Sequence, residues 1–230
     1  MRHDSLPLML FAAGFGKRMR HLTAHQPKPL VKVAGRALID HALALAHDVQ
    51  ASPIVANLHY LPEMLEQHLD GTGIRTLREE PDILETGGGL RNALPHLGNG
   101  PVATLNSDAI WVGPNPLRLL MDAWDPAAMD ALLICVPLAR AHGRKGKADF
   151  RVDSAGRLHR GGDAVFGGAQ IMKTELLHSI PDKVFSLNVV WDMMAQKDRL
   201  FGVLHPGHWC DVGHPDGVLE AEAMLKRYDV

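Results

Sequence analysis

A chain of 230 residues with 46% apolar residues is long enough to bury one sizeable core. Twenty-four basic residues against 26 acidic ones leave a net charge of −2, which excludes an electrostatic footprint for nucleic acid or for an anionic membrane. Two cysteines, Cys135 and Cys210, are too few for a disulfide framework. No apolar run approaches the roughly 18 residues of a membrane span, and no signal peptide is apparent, so a cytoplasmic protein is expected.

The first predicted element is a buried parallel strand over 8–13. It breaks at Gly14-Phe15-Gly16, runs through Lys17-Arg18-Met19-Arg20 and reaches Lys28 between Pro27 and Pro29. Glycines that free backbone N–H groups, followed by a guanidinium fork, suit a polyphosphate. The P-loop spacing is absent, and so is the third glycine of the dinucleotide fingerprint. A helix is predicted over 38–47, a strand over 53–57, a helix over 62–69 opened by its proline, and a strand over 74–77. That alternation predicts a parallel sheet covered by helices, with its ligand at the carboxyl ends of the strands.

Glu79-Glu80-Pro81 leads to Glu85-Thr86-Gly87-Gly88-Gly89. Three glycines before a helical stretch read either as a plain turn or as backbone approaching a planar base or a sugar hydroxyl. A strand over 102–105 ends in Asn106-Ser107-Asp108. An acid there, beside a phosphate loop, suits Mg²⁺ or caps a turn. Trp111 walls a sugar pocket or joins the core. A helix over 114–124 and a strand over 131–137 precede the cationic loop Gly143-Arg144-Lys145-Gly146-Lys147, read as a solvated connection or a lid. A hairpin follows, with strands over 149–152 and 157–159, so the sheet becomes mixed. The strand over 165–171 carries a glycine pair, Gly167-Gly168. Ser186 caps a helix running through 194, and Asn188 faces a sugar or caps. A strand over 200–204, then His208-Trp209-Cys210-Asp211-Val212-Gly213 and a helix over 215–228 complete the chain.

The pattern AAGxGxRM…PKPL, the LETGGG stretch, Ser107-Asp108 and Asp211-Val212-Gly213 together resemble the sugar-1-phosphate nucleotidyltransferases over nearly the whole chain. The resemblance implies an α/β fold, Rossmann-like and doubly wound, with a mostly parallel mixed sheet flanked by helices. It implies one domain over 1–230, with a nucleotide-binding half to about 140 and a sugar-phosphate half from about 141. The implied reaction moves a nucleoside monophosphate from an NTP to a sugar 1-phosphate and releases pyrophosphate.

By the same resemblance Arg18 and Lys28 are catalytic. Ala12, Ala13, Gly14, Gly16, Glu80, Glu85 and Gly88 bind the nucleotide, with Glu80 reading a base that presents a ring N–H, such as uracil or guanine. Asn106, Gly168 and Asn188 bind the sugar phosphate, and Asp108 and Asp211 hold Mg²⁺. The chain departs from the family at Ser107, where Gly is usual, and at His214, where Thr or Ser is usual. The Glu-Lys-Pro that relatives carry before the 165–171 strand is missing, and Arg160 stands nearby. The short form, lacking the β-helix of larger relatives, resembles the uridylyltransferases of peptidoglycan recycling that act on N-acetylmuramate 1-phosphate. Guanylyltransferases of mannose 1-phosphate are the alternative, and a non-catalytic nucleotide-sugar sensor is the reading from another class. The implied partners are small molecules, with neither nucleic acid nor membrane, and the oligomeric state is open.

Overall fold

The computed structural model describes residues 5–229. The opening strand, β1 (Leu8–Phe11), stops two residues short of the expected end. Ala12 leaves the ladder there and donates its N–H to the Asn57 side chain at 2.9 Å. A short hairpin, β2 (Lys32–Val33) and β3 (Arg36–Ala37), leads into α1 (Leu38–Asp48). Alternation continues through β4 (Ile54–Leu58), α2 (Pro62–Leu69), β5 (Arg75–Arg78), α3 (Glu85–Leu97), β6 (Val102–Asn106), β7 (Ala109–Val112), α4 (Pro116–Ala123) and β8 (Ala131–Pro137). The second half holds β9 (Ala141–His142), the hairpin β10 (Phe150–Val152) and β11 (Leu158–Arg160), then β12 (Ala164–Met172) and α5 (Leu187–Ala195). It ends with β13 (Leu200–Leu204), β14 (His208–Asp211) and α6 (Pro215–Arg227).

Parallel β4 and β6 flank β1, and β5 extends the sheet beyond β4. Antiparallel β12 joins β6 to β8, and β13 runs parallel to β8, so the central sheet is mixed and mostly parallel, as expected. The period-2 pleat sorts the core. Leu8 and Leu10 face the apolar stripes of α1, α2 and α4, while Met9 and Val55 face those of α3 and α5. Helices therefore cover both faces. The register of β12 slips between Phe166 and Gln170, where Gly168 has φ +90°. A bulge of this kind bends a strand, and β12 pairs with the β10–β11 hairpin beyond it.

A second sheet, in the order β7-β14-β9, was not anticipated from the sequence. It packs Ile110, Val112, Cys210 and Val212 against Ala221, Met224 and Leu225 of α6. Cys135 and Cys210 are both buried and free. Burial pushes each thiol up to about 12, so both are inert core residues at neutral pH. Among the described residues no helix is long and apolar enough to cross a membrane.

Candidate active site

The carboxyl ends of β1, β4 and β6 open onto a cavity of about 200 Å³. Ala12, Ala13 and Gly14 form one wall, and Glu85 and Thr86 form another. Asn57 lies near the end of the apolar strand β4 and is buried, and it braces this cavity. It accepts from Ala12 N–H and donates to Glu79 Oε1 at 2.7 Å. Glu79 Oε2 in turn accepts the Leu84 N–H at 2.7 Å, which ties the 80–84 loop to the sheet. Glu85 sits at φ +58°, a left-handed conformation costly for a side-chain-bearing residue. Strain of that kind persists where surrounding structure over-determines it, and it clusters at binding sites.

Asp108 lies two residues past the end of β6, and β7 begins immediately after it. Antiparallel β14 pairs with β7 so that Asp211 stands opposite Ala109, and Val212 N–H donates to the Asp108 carbonyl at 3.0 Å. The small sheet thus brings together two acids far apart in sequence. Lys28 Nζ reaches Asp108 Oδ2 at 2.6 Å, and its side chain is largely buried. Arg18 Nη2 and the Asp211 carboxylate both abut Gly213, where a Cβ would lie 3.2 Å and 3.0 Å from them. The glycine of Asp-Val-Gly leaves room for that pair.

These two carboxyls titrate in opposite senses. Burial by itself would raise the Asp108 pKa, but the Lys28 charge and hydrogen bond, with Arg18 beyond, hold it below the ordinary carboxylate value. At Asp211, burial and the neighbouring Asp108 charge push the pKa up, and Lys28 and Arg18 offset this only in part. No hydrogen bond to the Asp211 carboxylate enters that balance. Two acids, one lacking a donor and no third acid, histidine or cysteine among the described residues to complete a cage, fit a small hard cation. Mg²⁺ takes one or two carboxylates and fills its octahedron with phosphate oxygens and water.

A second cavity, about 320 Å³, shares Phe11, Thr86, Asn106 and Asp108 with the first. Asp108 therefore stands where the two meet, and beside it Asp211 lines the second. Its floor is a satisfied polar chain, with Trp191 Nε1 donating to Gln170 Oε1 at 2.8 Å and Gln170 Nε2 donating to Thr104 Oγ1 at 3.1 Å. Phe150, Phe166 and Trp191 form edge-to-face aromatic contacts beside it. Asn106 and Asn188 line this cavity, and Gly168 lies against the Asn106 side chain. Ser186 caps α5 through Asn188 N–H, as expected.

Several of the expected site residues stand apart from the two cavities. Glu80 does not line either cavity. It points to solvent 4.0 Å from Arg78, because the strand register buries its neighbour Glu79 instead. Gly16 also lies outside the first cavity, and its φ of +63° serves packing, since a Cβ would fall 2.9 Å from Lys28 Cβ. The triple glycine lies in the first turn of α3. Gly88 spends its N–H on the Phe185 carbonyl, as does Gly87, and a Cβ on Gly88 would meet the Lys183 carbonyl oxygen at 2.4 Å. Gly89 makes room for Glu79 and Asn57 in the same way. Gly88→Ala is expected to cost about 1–3 kcal/mol of stability in urea unfolding, the scale of overpacking; a cost below about 0.5 kcal/mol would mean that the 183–185 segment yields freely.

Trp111 packs on Gly167, His205 and Trp209, and it is Trp209 that reaches the second cavity. Arg144 of the cationic loop turns inward to line that cavity, paired with Asp149 at 2.6 Å. His214 caps α6 by accepting Gly217 N–H. Sequence reasoning passed over Asn57 and Gln170, although each is a polar residue in an otherwise apolar strand, which is a usable signal.

A doubly wound sheet, a cleft at its carboxyl ends and a basic-acidic cluster between two cavities define a nucleotidyltransferase. The chain belongs to the sugar-1-phosphate nucleotidyltransferases, and the model of the MobA-like NTP transferase domain matches residues 8–168. It is 37% identical to N-acetylmuramate alpha-1-phosphate uridylyltransferase of Caulobacter vibrioides, over 94% of this chain and 96% of that one. The enzyme of the same name from Neisseria meningitidis is 32% identical over the same shares. Mannose-1-phosphate guanyltransferase of Pichia angusta is 26% identical, and 63% of its length is covered. In three dimensions the chain resembles HddC from Yersinia pseudotuberculosis complexed with GMP-PN, with a TM-score of 0.75, 17% identity and coverage of 95% of this chain and 98% of that one.

Proposed function

We propose that this protein joins UTP to N-acetylmuramate 1-phosphate, giving the UDP-sugar and pyrophosphate, as a cytoplasmic step in peptidoglycan recycling. The observation that carries this reading is Lys28 beside the Asp108–Asp211 pair at the junction of the two cavities. A nucleotide in the first cavity and a sugar in the second would meet there by their phosphates. The choice of base and sugar is supported by the two uridylyltransferases, which are similar along nearly their entire lengths. One domain over 1–230 fits the same reading. The first cavity is lined by residues between Phe11 and Asp108, while the second adds Arg18, Thr104 and residues from Arg144 to Asp211.

A sugar-phosphate oxygen attacks the α-phosphorus of the triphosphate in line, the bond to the β-phosphate oxygen breaks, and pyrophosphate leaves. The nucleophile needs no strong base, because a phosphate monoester with a second pKa near ~6 is mostly dianionic at neutral pH. The residues supply position and charge. Arg18 holds the β- and γ-phosphates as they become the leaving group. Lys28 stabilises charge on the α-phosphate or the incoming sugar phosphate. Ala12, Ala13, Gly14 and Glu85 shape the nucleotide side, and Asn106, Gly168 and Asn188 the sugar side. Asp108 and Asp211 would hold Mg²⁺, which when bound supplies neutralising charge to the phosphates.

The test is pyrophosphate release with Mg²⁺ across the four NTPs and a panel of sugar 1-phosphates. Release confined to UTP with N-acetylmuramate 1-phosphate is expected. Release with GTP and mannose 1-phosphate would overturn the substrates and keep the chemistry, and no release with any pair would favour a sensor.

A further inference from the structure

We infer that Arg160 is a specificity residue that binds an anionic group carried by the sugar ring, apart from its phosphate. The inference rests on the sugar reading above, under which that group is the lactyl carboxylate of N-acetylmuramate. The strand order β11-β10-β12-β6 puts the backbone of Arg160 three strands from β6, beyond whose end lies Asp108. At ~4.8 Å per strand this is roughly 14 Å. The side chain leans back over the sheet, with its guanidinium 4.9 Å from the Phe150 ring centroid and 5.9 Å from that of Trp191. Arg160 thus lines the same cavity as Asp108 and Asp211, with its cation at least two strands, or ~10 Å, across the sheet from β6. A hexose 1-phosphate that carries an extended acidic ether on C3 reaches from its phosphate toward that side of the cavity.

The guanidinium is held in place yet not exhausted. Nε and Nη2 donate to Asp192 Oδ1 at 2.9 and 2.7 Å, Nη1 to Asn188 Oδ1 at 2.9 Å, and Nη2 to the Asn188 carbonyl at 3.3 Å. Of its five N–H groups, one on Nη1 remains uncommitted. Asp192 is more than half exposed, and a solvated partner of that kind neutralises little of the charge. Arg18, Lys28 and Arg144 already gather around the acidic pair: each lowers the Asp211 pKa through its charge. Those three account for cationic charge at the phosphates. Arg160 is left facing the part of the sugar that in an ordinary hexose carries only neutral hydroxyls.

The experiment compares N-acetylmuramate 1-phosphate with N-acetylglucosamine 1-phosphate, which lacks only the lactyl ether, in the wild type, Arg160→Met and Arg160→Lys. Wild type is expected to favour the lactyl sugar. In Arg160→Met the ratio of kcat/KM between the two sugars should fall about tenfold to a hundredfold, the scale of a hydrogen bond to a charged group. The loss should come mainly through KM, with partial recovery in Arg160→Lys. Equal loss on both sugars would make Arg160 a brace between β11 and α5 and overturn the inference, as would an unchanged ratio. A wild type that shows no preference, or uses neither sugar, would overturn the sugar reading itself and the inference with it. That failure shows before any variant is made.

Discussion

Asp211→Asn is expected to reduce magnesium-dependent pyrophosphate release by at least about a hundredfold to a thousandfold while leaving the fold as stable as before, or more so. The amide keeps the size of the acid but loses the charge a divalent ion requires. Its effect on stability follows from the sign of the shift. The Asp211 pKa is raised by burial and by Asp108. A carboxyl raised in this way favours folding below its unfolded pKa and loses that contribution as pH rises through the folded value. At neutral pH its ionisation therefore opposes folding, and the amide removes that opposition. Asp108→Asn should abolish activity as well, but with the opposite effect on stability. The Asp108 pKa is held down by Lys28, so its charge stabilises the fold above the unfolded pKa and is lost as pH falls through the folded one. Its amide leaves a largely buried ammonium without its counter-charge. Calorimetry at pH 7, beside an assay titrated with Mg²⁺, reads both effects. Normal rates at low magnesium in either variant would remove that carboxylate from the metal site, and a large drop in Tm for Asp211→Asn would contradict the electrostatic account.

The opposite behaviour of these two acids marks the limit of what the sequence disclosed. The alternation of strands and helices was legible because local periodicity carries it: α2, β8 and β13 lie where the pattern put them. Asp108 and Asp211 were legible as types, an acid after an apolar strand and an acid before Val-Gly. Their meeting was implied by the family resemblance but not by the residue pattern itself, because it depends on the short strands β7, β9 and β14, whose pairing is nonlocal and leaves little periodic trace. Which of Glu79 and Glu80 goes inside turns on one residue of register. A one-residue offset in a strand exchanges the buried and solvent faces, and Glu79 N–H pairing with the Leu58 carbonyl fixes which acid goes inside. The triple glycine was legible only in part. Small residues signal a close approach without saying what approaches, and here it is the chain's own 183–185 segment.

Lys28→Met should cost the reaction roughly 2–4 kcal/mol of transition-state stabilisation, a fall in kcat of about thirtyfold to a thousandfold, with a much smaller change in UTP affinity. The ammonium sits 2.6 Å from Asp108, where it neutralises the acid and is neutralised by it. It is thus already inside the site and partly desolvated, and it needs only a rotation of a flexible stem to serve a phosphate oxygen. A charge positioned before the reaction demands no reorganisation during it, which is why its loss should appear in turnover more than in binding. Pro27 and Pro29 fix the backbone on either side, and Gly16 allows the loop to close against Lys28 Cβ. Lys28→Arg keeps the charge but replaces a compact ammonium with a planar fork in a space bounded by Asp108 and Pro29, so it should recover only a fraction of the rate. Steady-state kinetics with UTP varied, beside UTP binding by calorimetry, separates the two contributions. An unchanged kcat in Lys28→Met would take the residue out of catalysis, and an equal fall in affinity and turnover would make it a ground-state ligand of the triphosphate instead.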